Sequence, residues 1–171
     1  MKTQEILDKY HKLIVGLLPE TAGAIIQFKV EIEVNVGQPS QTKVWAPING
    51  FVYLKPDLKV KQDWALGRYQ VMLNQRRLAE FELYQMPHCC GIAVSCRALV
   101  APEYRKRGLG ALFNMFRQDI ARQLGFSLLM CTDVAQNEPQ RKLLKTNGWK
   151  DLISFVNQRT RNTVYVCAIG L

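Results

Sequence analysis

Arg105, Lys106 and Arg107 stand directly before Gly108-Leu-Gly110, so three cations meet two positions without side chains inside six residues. Glycines let backbone N–H groups come close to a ligand, and the cations add positive charge. A phosphate suits that combination. Two elements must hold the six residues in place. Upstream, Ile92, Val94, Cys96, Ala98 and Val100 alternate with a period of two, which predicts a strand. Downstream, a helical apolar pattern begins at Ala111 and Leu112, and a helix starting there leaves its first N–H groups unpaired, with about +0.5 charge at that end. Segment 100–113 is therefore read as a strand-to-helix turn shaped for an anion. It is not a dinucleotide-binding G-x-G-x-x-G, because Phe113 fills the third glycine position, and the chain holds no G-x-x-x-x-G-K-[ST] phosphate loop.

Other side chains offer less. His11 and His88 are the only two histidines, too few for a histidine-based metal site, and no metal is assigned. The five cysteines (Cys89, Cys90, Cys96, Cys131, Cys167) contain no C-x-x-C pair and read as reduced, mostly buried thiols. A net charge of +9 raises the local concentration of anionic partners. A nucleotide cofactor, a nucleic acid or an acidic protein would all answer to it, as would a plain solvated basic face.

With 171 residues, 48% of them hydrophobic, the chain fits one domain over 1–171. Glu5 and Asp8 interrupt the N-terminal segment, which predicts neither a secretory signal nor a membrane span, and the expectation is a soluble cytoplasmic protein. A first helix over 3–17 places Ile6, Tyr10, Leu13, Ile14 and Leu17 on one stripe. Strict alternation over 26–36 predicts a long strand with one wet face, paired through a turn at 37–40 with a second strand region over 43–54; helix and strands form an arm over 1–56. Segment 56–74 fits neither period and reads as loop with a short helix or strand. Strands return at 78–84 and 90–100, with Pro87 and His88 at the turn between them. After the glycines come an amphipathic helix ending at Gly125, an apolar strand at 126–131 buried on both faces, a helix capped by Asn137 and ended by Gly148, and two strands at 149–155 and 164–169. Strand, helix and strand of this length read as a parallel crossover.

Arg105-Lys-Arg-Gly108-Leu-Gly110 resembles the R/Q-x-x-G-x-G/A signature of the GNAT superfamily of acyl-CoA-dependent N-acyltransferases. Asn137, eleven residues before Gly148-Trp149, is similar to that family's asparagine, helix and Gly-aromatic segment. The resemblance covers about the C-terminal two-fifths of the chain. It implies an α/β (α+β) fold: a mixed, mostly antiparallel sheet with a central parallel strand pair, flanked by helices, with a cofactor-binding core at about 90–155.

The resemblance further implies an acetyltransferase that moves an acetyl group from acetyl-CoA to a primary amine. The turn, from Arg105, Lys106 and Arg107 through Gly108, Leu109, Gly110 and Ala111, would hold the coenzyme A diphosphate. Leu99 and Val100 would offer backbone groups to the pantetheine arm, and Asn137 would contact it or orient its helix. Candidates for the base that deprotonates the amine are Glu80, Glu82 and Asp133. The family's usual acid, a tyrosine seven residues after the asparagine, is replaced by Leu144; Tyr84, Cys96 and Tyr165 are the substitutes. The acceptor stays open between a small amine, a protein amine and an amine carried on nucleic acid. Lys59, Lys61, Arg68, Arg76 and Arg77, with Arg141, Lys142, Lys145, Arg159 and Arg161, would suit the last. The alternative is a coenzyme A-binding protein without turnover that acts through its basic surface or as a homodimer.

Overall fold

The N-terminal apolar stripe forms helix α1 (Thr3–Leu17), rolled slightly from the expected face. Ile6, Leu7, Tyr10 and Ile14 are buried, whereas Leu13 and Leu17 are each 38% exposed. The computed structural model of the protein describes residues 3–34, 42–47, 65–86, 89 and 91–171. The expectations for 35–41 and 48–64 (with Lys59 and Lys61), for the Pro87-His88 turn and for Cys90 lie outside the described residues. Among the described residues no helix is long and apolar enough to cross a membrane.

Eight strands form one sheet: β1 (Ile26–Val34), β2 (Thr42–Pro47), β3 (Ala65–Leu73), β4 (Arg76–Gln85), β5 (Ile92–Val100), β6 (Leu128–Val134), β7 (Lys150–Val156) and β8 (Thr163–Gly170). Their order is β2-β1-β3-β4-β5-β6-β8-β7. All neighbours run antiparallel except β5 and β6, the parallel pair spanned by α2 (Leu109–Gln123). The expected mixed sheet with one central parallel pair is thus present. The hairpin of β1 and β2 belongs to this sheet: β1 lies between β2 and β3.

β3 stands where the sequence reads as mostly loop. Gly67, Tyr69, Val71 and Leu73 are its buried positions, and a glycine among them dilutes the apolar alternation. It turns into β4 through Asn74 (φ 46°) and Gln75 (φ 66°). Two positive φ values define the hairpin turn that usually takes Asn-Gly, and Gln75 hides it. β6 is buried on one face only: Leu129, Cys131 and Asp133 are covered, while Thr132 is exposed. That is ordinary alternation instead of the expected two-sided burial.

α2 and α3 (Glu138–Thr146) end as their glycines predict. Gly125 (φ 85°) and Gly148 (φ 82°) are left-handed, with Phe126 N–H donating to Ala121 O and Trp149 N–H to Leu144 O, both 3.1 Å. Asn137 sits at the N-cap of α3, but its side chain makes no cap bond. Phe116 of α2 gathers the core on one face of the sheet. Tyr10, Phe28, Phe81 and Phe113 surround it at ring distances of 4.6, 5.5, 5.7 and 6.5 Å.

α1 is clipped to α2 through Asp119, whose carboxylate accepts from Lys9 Nζ and Tyr10 Oη, both at 2.8 Å. Burial raises the Asp119 carboxyl, but these two donors outweigh it and hold the group below its ordinary range. A depressed carboxyl stabilises the fold above its unfolded value and stops doing so as pH falls through the folded value. Asp119→Asn should therefore cost about 1 kcal/mol at neutral pH. The loss should be complete above the ordinary Asp pKa of about 3.9 and shrink in more acid solution. Urea titrations of both proteins at pH 7 and pH 2.5 check this; an undiminished gap at the lower pH contradicts it.

Candidate active site

β5 and β6 pair only where Ile92, Ala93 and Val94 meet Leu128, Leu129 and Met130. Beyond that point β5 continues to Val100 and β6 to Val134 without pairing to each other, so the two strands part. The cause lies on the other side of β5. Its register with β4 shifts between Glu80↔Leu99 and Glu82↔Cys96, which places one extra residue in β5, and Arg97 adopts φ 49° there. A bulge of this kind bends its strand and increases local twist. The gap opens into a cleft of about 660 Å³.

The anion turn lies at the mouth of that gap. After a 3-10 turn (Pro102–Tyr104), Lys106 (φ 59°) and Gly108 (φ 83°) both take left-handed conformations. The first backbone bonds of α2 are donated by Ala111 and Leu112 to the Gly108 carbonyl at 3.1 and 3.2 Å. The amides just before them are left for a ligand. Arg105 and Lys106 line the cleft with Gly108, Gly110 and Ala111, and Arg105 Nε donates to the Val100 carbonyl at 3.0 Å. Arg107 turns away and forms a salt bridge with Glu20. Leu109 is buried in the core.

Several solved acetyltransferases share this fold. One, an acetyltransferase of the GNAT family from Streptococcus pneumoniae, matches with a TM-score of 0.55 at 17% identity over 62% of this chain and 66% of its own. Spermidine N-acetyltransferase from Vibrio cholerae, solved in complex with CoA and spermine, gives 0.53 at 18% over 61% and 65%. IAA acetyltransferase from Bacillus cereus gives 0.52 at 13% over 62% and 78%. The chain has the GNAT fold. It spans about two-thirds of the length of the first two of these relatives. No family model matches the sequence, and no curated protein does.

Of the three carboxylates expected near the chemistry, Glu80 alone lines the GNAT cleft. It is 8% exposed and accepts hydrogen bonds from Gln70 Nε2 at 2.6 Å and Arg77 Nη1 at 3.1 Å. Phe81, next along β4, packs on α2, so alternation turns Glu80 to the opposite face of the sheet. Glu82 lies deeper along β4, bound by Arg68 at 2.8 Å and Arg97 at 3.4 Å. Asp133 lies off the cleft with one oxygen accepting from Asn137 Nδ2 at 3.2 Å, and burial raises its carboxyl. Asn137 itself lines the cleft.

The substitute acids stand elsewhere. Tyr84 is outside the lining and its phenol is raised by burial. The Cys96 thiol, pushed up to about 11 by burial and by its bond to Glu82, is no nucleophile at neutral pH. Tyr165 is covered by Arg141, whose guanidinium carbon is 3.4 Å from the ring centre. Leu144 is buried in the core, so the helix face that carries it does not look into the cleft, whereas Asn137, Gln140 and Leu143 do.

Backbone direction along β5 sorts the two residues expected at its edge. Ala101 N–H donates to Leu78 O at 2.9 Å, and strand alternation then turns the Leu99 backbone toward β4 and that of Val100 toward the cleft. The sequence reading also missed Asn114 and Arg117 of α2, both buried and both lining the cleft. Their three-residue spacing on the helix was the available signal.

Gly108 and Gly110 should respond in opposite ways. A side chain at Gly108 meets a left-handed backbone and Leu17 at 3.3 Å, whereas one at Gly110 meets only Leu143 at 3.7 Å. Gly108→Ala should cost about 1–2 kcal/mol, and Gly110→Ala, inside a helix, should be neutral or gain up to about 1 kcal/mol. Urea unfolding of the ligand-free proteins checks both signs.

Proposed function

We propose that the protein transfers an acyl group, acetyl in the simplest case, from a coenzyme A thioester to an amine. The observation that carries this reading is the turn of unpaired amides and cations at the mouth of a parted parallel strand pair. Arg105, Lys106 and the amides before Ala111 would hold the diphosphate, and the Val100 backbone, with Asn137, would align the pantetheine arm along β5. The residues fit that group: the turn is rich in donors, and Gly108 supplies the left-handed backbone on which it bends. When bound, coenzyme A supplies an acyl group already activated as a thioester.

Glu80 accepts the proton that the amine must lose, directly or through one water. No hydroxyl or thiol lines the cleft among the described residues. An added acid is dispensable because a thiol ionises near pH 8.5, which makes its thiolate a tolerable leaving group. On the acceptor side Arg68, Arg77 and Arg97 surround the two carboxylates Glu80 and Glu82. With a net charge of +9, this supports an amine that carries negative charge of its own over a free polyamine.

Calorimetry should detect coenzyme A binding, and Lys106→Ala should weaken it roughly tenfold, the worth of one charge-assisted hydrogen bond. Glu80→Gln should leave that affinity intact and lower kcat by about 10²–10⁴-fold, read as thiol release with a panel of amines. Failure of coenzyme A to bind the folded protein overturns the proposal. Binding with no thiol release from any amine would leave a carrier-binding module in its place.

A further inference from the structure

Arg117 is a permanent cation with 2% of its surface exposed, and no carboxylate pairs with it among the described residues. Its Nε and Nη2 donate to Asn114 Oδ1 at 3.1 and 2.6 Å, and its Nη1 donates to Ser95 Oγ at 3.3 Å. Trp149 covers it, with the ring centre 4.8 Å from the guanidinium carbon. A guanidinium has five N–H donors, so two, one on each Nη, have no acceptor among the described residues. Asn114 Nδ2 and Trp149 Nε1 are also buried without a partner. Every unpartnered polar atom of this cluster is a donor. Burying a cation is costly unless a negative charge meets it, and here the missing component is an acceptor.

The position of the cluster narrows what that acceptor is. Ser95 directly follows Val94, the last residue of β5 paired to β6, so Arg117 marks the closed end of the cleft. The anion turn marks the open end, five residues of β5 away, which is about 16 Å at 3.3 Å per residue. Two N–H donors on one rigid fork match the two oxygens of a carboxylate.

We infer that the inner end of the cleft is a carboxylate subsite, so that the acyl group delivered is that of a short dicarboxylic acid, malonyl or succinyl in type. The inference rests on the coenzyme A reading above and specifies its acyl donor. The transfer balances as an ordinary acylation: the amine gives its proton to Glu80, the N–C bond forms, the C–S bond breaks, and coenzyme A leaves as the thiolate, which that proton converts to the thiol. The product is an amide that ends in a free carboxylate. Arg117 holds that carboxylate throughout and exchanges no proton.

Calorimetry with the full chain separates the possibilities through size-matched pairs: malonyl- against propionyl-coenzyme A, and succinyl- against butyryl-coenzyme A, with coenzyme A alone as reference. One charged ester should bind roughly 10- to 100-fold more tightly than its neutral match, as two charge-assisted hydrogen bonds allow. Arg117→Leu should abolish that preference and keep the affinity for coenzyme A alone. Equal affinities within both pairs, with coenzyme A itself binding, overturn this inference and leave the acyltransferase reading standing. A charged preference that survives in R117L also overturns it, whereas absence of coenzyme A binding removes both. Should R117L fail to fold, the comparison within each pair in the unaltered protein decides alone.

Discussion

One extra residue in β5 governs everything around the cleft. Had β4 and β5 kept register past Arg97, β5 could have stayed beside β6 along its whole length, and backbone groups would have satisfied one another across the parallel pair. The left-handed Arg97 prevents this. β5 leans away after Val94, the Val100 carbonyl is taken by Arg105 instead of by β6, and a channel opens between the two strands. Bulges are devices for re-aiming a strand, and this one opens a cleft in a continuous sheet. The turn that follows inherits its position from that bend.

Rigidity comes from both sides of the turn. Phe116 ties α2 to α1, β1 and β4 through its ring neighbours, and Arg107 is anchored to Glu20 beyond the end of α1. A cation that the sequence offers to a ligand is thus used to brace its own loop. The same helix carries the opposite arrangement deeper in the cleft. Asn114 and Arg117 are buried among apolar groups with donors to spare, a condition proteins rarely keep without a use for it.

Much of this was legible beforehand because it rests on local rules. The glycine turn, the ends of α2 and α3 at Gly125 and Gly148, and the parallel crossover each follow from spacing and left-handed positions that a single segment reveals. β3 was not legible, since Gly67 thins its apolar face and Gln75 stands where a turn of that geometry usually has glycine. The sorting of Glu80 from Glu82 and Asp133 was equally hidden. All three are carboxylates on β4 and β6, the two strands that flank β5, and only the bulge and the parting of β5 from β6 decide which one meets the cleft. Arg117 was overlooked for a different reason: charge on a helix is normally read as the wet side, and burial of that charge is a property of the assembled molecule. Arg107 shows the reverse, a residue whose type fits the ligand and whose partner, Glu20, lies far away in sequence.

β7 forms one edge of the sheet, with all seven of its residues exposed and Leu152, Ile153, Phe155 and Val156 among them. An edge of this kind offers open hydrogen-bonding groups flanked by adhesive side chains. Mutual repulsion between molecules of charge +9 keeps such edges apart in dilute buffer. Added electrolyte shortens the reach of that repulsion to about 3 Å at 1 M. Colloidal behaviour should thus be inverted relative to the many proteins that salt helps to dissolve, with this one keeping best where ionic strength is low.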